Sequence, residues 1–156
     1  MSRETELVTK LTNNHYTIAT AESCTGGLVA ATLVSVSGAS DVLDCSFVTY
    51  ANEAKMKYAH VSKETLLKHG AVSSETAAEM AEGCAREAGA SVGISTTGIA
   101  GPTGGTKEKP VGLVYIGCSV CGKTTVICCH FSGDRQQVRR QAVEKAIDLA
   151  IHCLET

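Results

Sequence analysis

Tryptophan is absent from the 156-residue sequence, and aromatic residues make up only 4% of it. That leaves little flat surface for stacking bases. A basic face is missing as well: 14 Lys and Arg stand against 16 Asp and Glu, for a formal charge of −2. An extended nucleic-acid footprint is therefore not expected, although a local anion site is compatible with this balance. No apolar run approaches the roughly 18 residues of a membrane span. The N-terminus opens on the charged stretch MSRETELVTK rather than on a secretory signal. Neither nucleic acid nor membrane is expected as a partner, and a cytoplasmic location is. Proline is scarce, and both residues, Pro102 and Pro110, fall in one segment.

What the sequence does contain is 44% apolar residues and 15 glycines, enough for one domain over residues 1–156 with a core of Val, Ile, Leu, Ala and Cys. Cysteine is abundant, at eight residues. In a reducing compartment these are thiols, and most sit in apolar runs such as Val126-Ile127-Cys128-Cys129, where a small buried hydrophobe is the plain reading.

Residues 4 to 13 read as a helix and YTIAT (16 to 20) as a strand that stops at the turn-forming cluster AESCTGG. A buried helix is expected over 27 to 36 and a second strand over 46 to 50, followed by polar NEAK. Ser62 can cap a helix that Gly70 ends, and Ser73 or Ser74 one that runs to Gly89. SVGISTTG reads as a third strand. VGLVYIGCSV and TTVICCHF, separated by CGK, read as a hairpin. From Asp134 a last helix places Val138, Ala142, Ala146, Leu149 and Cys153 on one stripe, opposite Arg139, Arg140, Glu144 and Lys145. Strands alternating with helices, plus one hairpin, imply a three-layer α/β/α sandwich with a mixed sheet, mostly parallel with one antiparallel strand. Ligands in such sheets lie beyond the carboxyl ends of the strands, where AESCTGG, TYANEAK and TGIAGPTGG would converge.

Ser23, ahead of Gly26 and Gly27 in a strand-to-helix turn, is placed to be a nucleophile beside free backbone N–H groups, or simply a helix cap. Lys55 is a useful base only if desolvation brings its pKa down from about 10.4 toward neutrality. With Tyr50 relaying the proton or steadying the oxyanion, the three residues would form a hydrolase site without histidine. A solvated lysine and an amphipathic tyrosine are the plainer alternative. The loop from Thr97 to Pro110, with Gly98, Gly101, Gly104, Gly105, Thr103, Thr106, Lys107 and Lys109, can cradle a phosphate or be an ordinary surface loop.

Two matches are set aside. Gly117 to Thr124 fits G-x-x-x-x-G-K-[ST], but that motif works only ahead of a helix, and the residues that follow are strand-like. Cys118-x-x-Cys121 with Cys128, Cys129 and His130 lacks the second knuckle of a zinc ribbon, so hairpin packing is expected rather than metal.

AESCTGG, FVTYANEAK, GAVSSETAAEMAEG, TTGIAGPTGG, KPVG and FSGDRQQVRRQAV, in this order along nearly the whole chain, resemble the CinA carboxy-terminal domain family. Stand-alone members of that family are nicotinamide-nucleotide amidases. The resemblance implies an α/β/α sandwich with a mixed five-stranded sheet, Ser23 as nucleophile, and Tyr50 and Lys55 as its partners. It implies hydrolysis of nicotinamide mononucleotide to the nicotinic acid nucleotide and ammonia, with neither cofactor nor metal, in a homodimer or higher homo-oligomer. Thr25, Gly26, Thr97, Gly98, Gly101, Gly104, Gly105, Lys109 and Arg135 are its expected substrate contacts, and Arg suits bidentate phosphate recognition. The alternative is a nucleotide-binding module of the same fold without turnover. Cys24 is a second candidate reactive group, and MKYAHV after Lys55 is less apolar than the run usual there. Larger CinA proteins have an additional amino-terminal domain, whose activities are not carried over.

Overall fold

The computed structural model describes residues 1–156. Five strands, β1 (Ile18–Glu22), β2 (Phe47–Val48), β3 (Val92–Gly98), β4 (Leu113–Val120) and β5 (Lys123–His130), form one sheet in the order β2-β1-β3-β4-β5. β1 is parallel to β2 and β3, whereas β4 is antiparallel to both β3 and β5. Only β4 thus runs against the rest, as the sequence pattern implies. The helices are α1 (Arg3–Asn14), α2 (Leu28–Val34), α3 (Asn52–Ala59), α4 (Lys63–His69), α5 (Ser74–Ala88) and α6 (Arg135–Glu155).

Local chemistry explains most helix starts. The side chains of Ser2, Ser62, Ser73 and Asp134 each accept a backbone N–H of the first turn, and Asp134 completes a capping box with Gln137. Two helices start without such a cap: α3 after Ala51, and α2 after Gly27, which stands at φ 102°.

The sheet separates two cores. Leu7, Leu11, Val29, Leu33, Ile94, Val138 and Ile147 build the larger one under α1, α2 and α6. Ala19, Ala21, Ala59, Val61, Met80 and Cys84 build the smaller one under α3 and α5. The smaller core is tight because its residues are small. A Cβ at Gly83 would overlap the Ala59 carbonyl oxygen, so only glycine lets α5 approach the end of α3 this closely.

Some boundaries differ from the sequence expectations. β1 extends through Ala21 and Glu22, because these pair with Phe47 and Val48 on one side and with Ser95 and Thr96 on the other. The ladder thus overrides the turn-like composition. NEAK lies in α3, and α2 is shorter than the expected 27 to 36. Residues 113–130 form the expected hairpin, with the strand β5 following Lys123 where a P-loop requires a helix. Cys24, Cys84, Cys118 and Cys129 are buried as anticipated, but Cys45, Cys121 and Cys128 are exposed. Cys128 and Cys129 are neighbours on an edge strand and must point to opposite faces. Arg139 leaves the solvent face expected for it, since its guanidinium reaches back to the Cys24 and Thr25 carbonyls at 3.0 and 3.2 Å.

Candidate active site

The parallel strands β1, β2 and β3 end at one edge of the sheet, so the loops after them meet there. Alternation along β1 decides which side chains face which layer. Ile18 joins the larger core, and Thr20 and Glu22 share its face. Ala19 and Ala21 join the smaller one, and Ser23 follows their phase toward α3.

Lys55 reaches Ser23 from the first turns of α3. Its Nζ lies 3.1 Å from Ser23 Oγ, 2.8 Å from the Thr49 carbonyl oxygen and 3.0 Å from that of Tyr50. The lysine is 1% exposed in spite of the polar residues in MKYAHV, a segment in which Ala59 and Val61 are also buried and Tyr58 stacks on Phe47 with centroids 6.2 Å apart. Burial disfavours the ammonium and lowers its pKa from 10.5 to about 8. In the neutral amine, two N–H groups stay on the two carbonyls and the lone pair points at Ser23, whose hydroxyl then donates to it. This is the geometry of a nucleophile and its base.

Ser23 is held through its backbone. Its N–H donates to the Thr96 carbonyl at 3.0 Å and its own carbonyl accepts from Gly26 N–H at 3.1 Å. The next two N–H groups, of Cys24 and Thr25, have no acceptor within the chain. Two free donors directly after a nucleophile can receive a developing oxyanion. The Cys24 thiol is buried, which pushes its pKa up to about 11 and favours the protonated thiol at neutral pH.

The other expected site residues fall into two groups. At the mouth, the Tyr50 side chain is 63% exposed, and its hydroxyl accepts from Arg135 Nη2 at 3.3 Å. Arg135 Nη1 donates to the Gly101 carbonyl at 2.7 Å, tying α6 to the glycine-rich loop where Gly104 and Gly105 are exposed. Tyr50 therefore meets Lys55 through its carbonyl and Arg135 through its hydroxyl, with no hydrogen bond to Ser23. The second group is engaged inside the fold. Thr25 Oγ1 donates to Glu22 and accepts from Thr96 Oγ1, and Thr97 Oγ1 donates to the Ala71 carbonyl. Gly26 sits against the Arg139 guanidinium, and Gly98 against Leu113 and Val114. Lys109 Nζ donates to the His69 carbonyl at 2.7 Å, which fastens the loop to the end of α4.

Sequence reasoning missed Glu22, Arg139, Thr49 and Thr96. Thr49 supplies a carbonyl to Lys55, while its own buried hydroxyl has no partner. A usable sign for Glu22 was the lack of any capping side chain at Gly27.

The family model described as CinA C-terminal domain matches residues 1–154. The chain belongs to the CinA C-terminal domain family. A CinA-like protein of Kosmotoga olearia is 54% identical over 153 residues, covering 98% of this chain and 37% of that relative. This CinA-family chain thus spans about a third of the length of the curated relatives it matches. Among solved structures, the competence/damage inducible protein CihA from Agrobacterium tumefaciens superposes with a TM-score of 0.93 at 38% identity, covering 100% of this chain and 98% of that one. A CinA superfamily protein from Escherichia coli gives 0.92 at 35% identity, covering 99% and 88%.

Proposed function

We propose that this CinA-family domain is a serine amidohydrolase that converts the carboxamide of nicotinamide mononucleotide to the acid, releasing ammonia. The observation that carries the proposal is the buried Lys55 amine 3.1 Å from Ser23 Oγ, with its pKa lowered to about 8. Neutral Lys55 takes the Ser23 proton as Oγ attacks the carboxamide carbon. The tetrahedral oxygen is received by the Cys24 and Thr25 N–H groups, and the Lys55 ammonium returns its proton to the departing nitrogen. Lys55 then activates water against the acyl-serine, and the nicotinic acid nucleotide leaves with Ser23 restored.

The substrate class rests on the resemblance of the motifs and on Arg135 at the mouth, where a guanidinium suits a phosphate. Tyr50, through its bond to Arg135, belongs with this recognition surface. Lys109 and Thr97, already engaged with backbone carbonyls, support the loop that carries Gly101.

The test is ammonia release from nicotinamide mononucleotide, run beside Ser23→Ala, Lys55→Met and the dephosphorylated riboside. Release that is lost in both variants and falls with the riboside is expected. A folded wild-type protein that binds the nucleotide and releases no ammonia overturns the proposal in favour of a binding module.

A further inference from the structure

The turn that carries Ser23 is built around a buried carboxylate. Glu22 is fully buried and accepts five hydrogen bonds. Its Oε1 accepts from Thr25 Oγ1 at 2.6 Å, Gly27 N–H at 3.1 Å and Val29 N–H at 2.9 Å. Oε2 accepts from Thr20 Oγ1 at 2.9 Å and Ala30 N–H at 3.0 Å. In α1, α4, α5 and α6 a single Ser or Asp beside the helix caps its first turn, and α3 has no side-chain cap at all. For the seven-residue α2 the chain instead buries a charge from the end of β1. Burying a carboxylate is costly unless every lone pair is used, so stabilising one short helix is a weak reason for it.

The hydrogen bonds between Ser23 and α2 show what else it does. Gly26 N–H is taken by the Ser23 carbonyl and Leu28 N–H by the Thr25 carbonyl. Glu22 collects those of Gly27, Val29 and Ala30, and Ala31 N–H goes to the Gly27 carbonyl. From residue 24 to residue 31, the N–H groups left free are those of Cys24 and Thr25, the two next to the nucleophile. Thr96 ties the same network to β3, through its carbonyl to Ser23 N–H and its hydroxyl to Thr25.

We propose that Glu22 is a positioning residue for the nucleophile. It makes no hydrogen bond to Ser23 Oγ or Lys55, but it fixes the turn so that Oγ stays in reach of the lysine and the Cys24 and Thr25 N–H groups stay free for the oxyanion. The inference rests on the serine amidase reading given above.

Glu22→Gln tests it. The amide keeps the size of the side chain but turns an N–H₂ toward one set of donors, and placed at the Oε2 position it loses Ala30 N–H. The readout is the rate at which Ser23 is phosphonylated by an alkyl fluorophosphonate, in which the Oγ–P bond forms as P–F breaks and fluoride leaves. This needs no knowledge of the natural substrate. Labelling is expected to slow by roughly 10- to 100-fold, the cost of misplacing a reacting group by a fraction of an ångström to 1 Å. The inflection near pH 8 set by Lys55 is expected to stay, and for ammonia release kcat is expected to fall with KM within about twofold. Ser2→Ala, which weakens the cap of distant α1, serves as the control for lost stability and is expected to label at the wild-type rate. Thr20→Val removes one Glu22 partner from the middle of β1 and is expected to give the same signature, roughly 3- to 10-fold, should the glutamine variant not fold. Wild-type labelling in either folded variant overturns the inference. A wild-type protein whose Ser23 is labelled but which releases no ammonia overturns the amidase reading and leaves the role of Glu22 to be decided by the labelling arm.

Discussion

Lys55 gives the site a pH dependence that can be worked out from its burial. With a pKa of about 8, about one molecule in ten carries the neutral amine at pH 7. An unshifted lysine at 10.5 leaves about one in three thousand. Between pH 6 and pH 9 the neutral fraction climbs from about 1% to about 90%, so kcat/KM for ammonia release is expected to rise about 90-fold and then level off. A Cys24 nucleophile instead places the inflection near 11, where burial puts that thiol. Lys55→Met keeps the apolar stem and removes the base, and is expected to abolish the rise together with turnover. Stability follows the same proton. Between about 8 and 10.5 the unfolded chain still holds a proton that the folded chain has released, so resistance to urea rises with pH across that window, and does not do so in Lys55→Met. A rate profile flat from pH 6 to 9, or one still rising tenfold per unit at pH 9.5, refutes the reasoning.

Tyr50→Phe removes only the hydroxyl that meets Arg135, so KM for the nucleotide is expected to rise several-fold with kcat little changed; a hundredfold fall in kcat would instead make Tyr50 a proton relay. Arg139→Met frees the Cys24 and Thr25 carbonyls and is expected to cost about 2 kcal/mol in urea unfolding and to slow serine labelling. Gly83→Ala drives a methyl group into the Ala59 carbonyl, and a loss of about 3 kcal/mol or more, read as a lower melting temperature, is expected along with weaker activity as α3 shifts. Thr49→Val replaces a buried hydroxyl that has no partner, and is expected to gain about 1 kcal/mol while leaving the pH inflection in place.

What could be read from the sequence was mostly local. Ser62, Ser73 and Asp134 announce helix starts because capping needs only three or four neighbouring residues. The turn at Cys121-Gly122 announces a hairpin for the same reason, and alternation of strands with helices points to the layered sheet. Ser23, Tyr50 and Lys55 were singled out through the resemblance of AESCTGG and FVTYANEAK to the family, since each taken alone also reads as a helix cap, an amphipathic tyrosine or a solvated lysine. The role of Arg139 was not legible, since its partners are backbone carbonyls more than a hundred residues earlier. That of Glu22 showed only in the uncapped start at Gly27, because three of its five partners are backbone N–H groups whose positions the fold creates. Nor could MKYAHV reveal how dry Lys55 is. That dryness depends on α3 seating against α5, which a glycine on the other helix permits. The last two residues of β1 were hidden behind turn-like composition because ladders on both sides fix them.

The serine and the lysine belong to different halves of the architecture. The turn bearing Ser23 is anchored by α2 and by Arg139 of α6, whereas Lys55 rides on α3 against α5, across the sheet. Neither half contains a working pair by itself. While either layer is undocked, the lysine is hydrated and charged like any other and the serine is an ordinary alcohol. The juxtaposition of Ser23 and Lys55 therefore exists only once both sides of the sandwich have closed on the sheet.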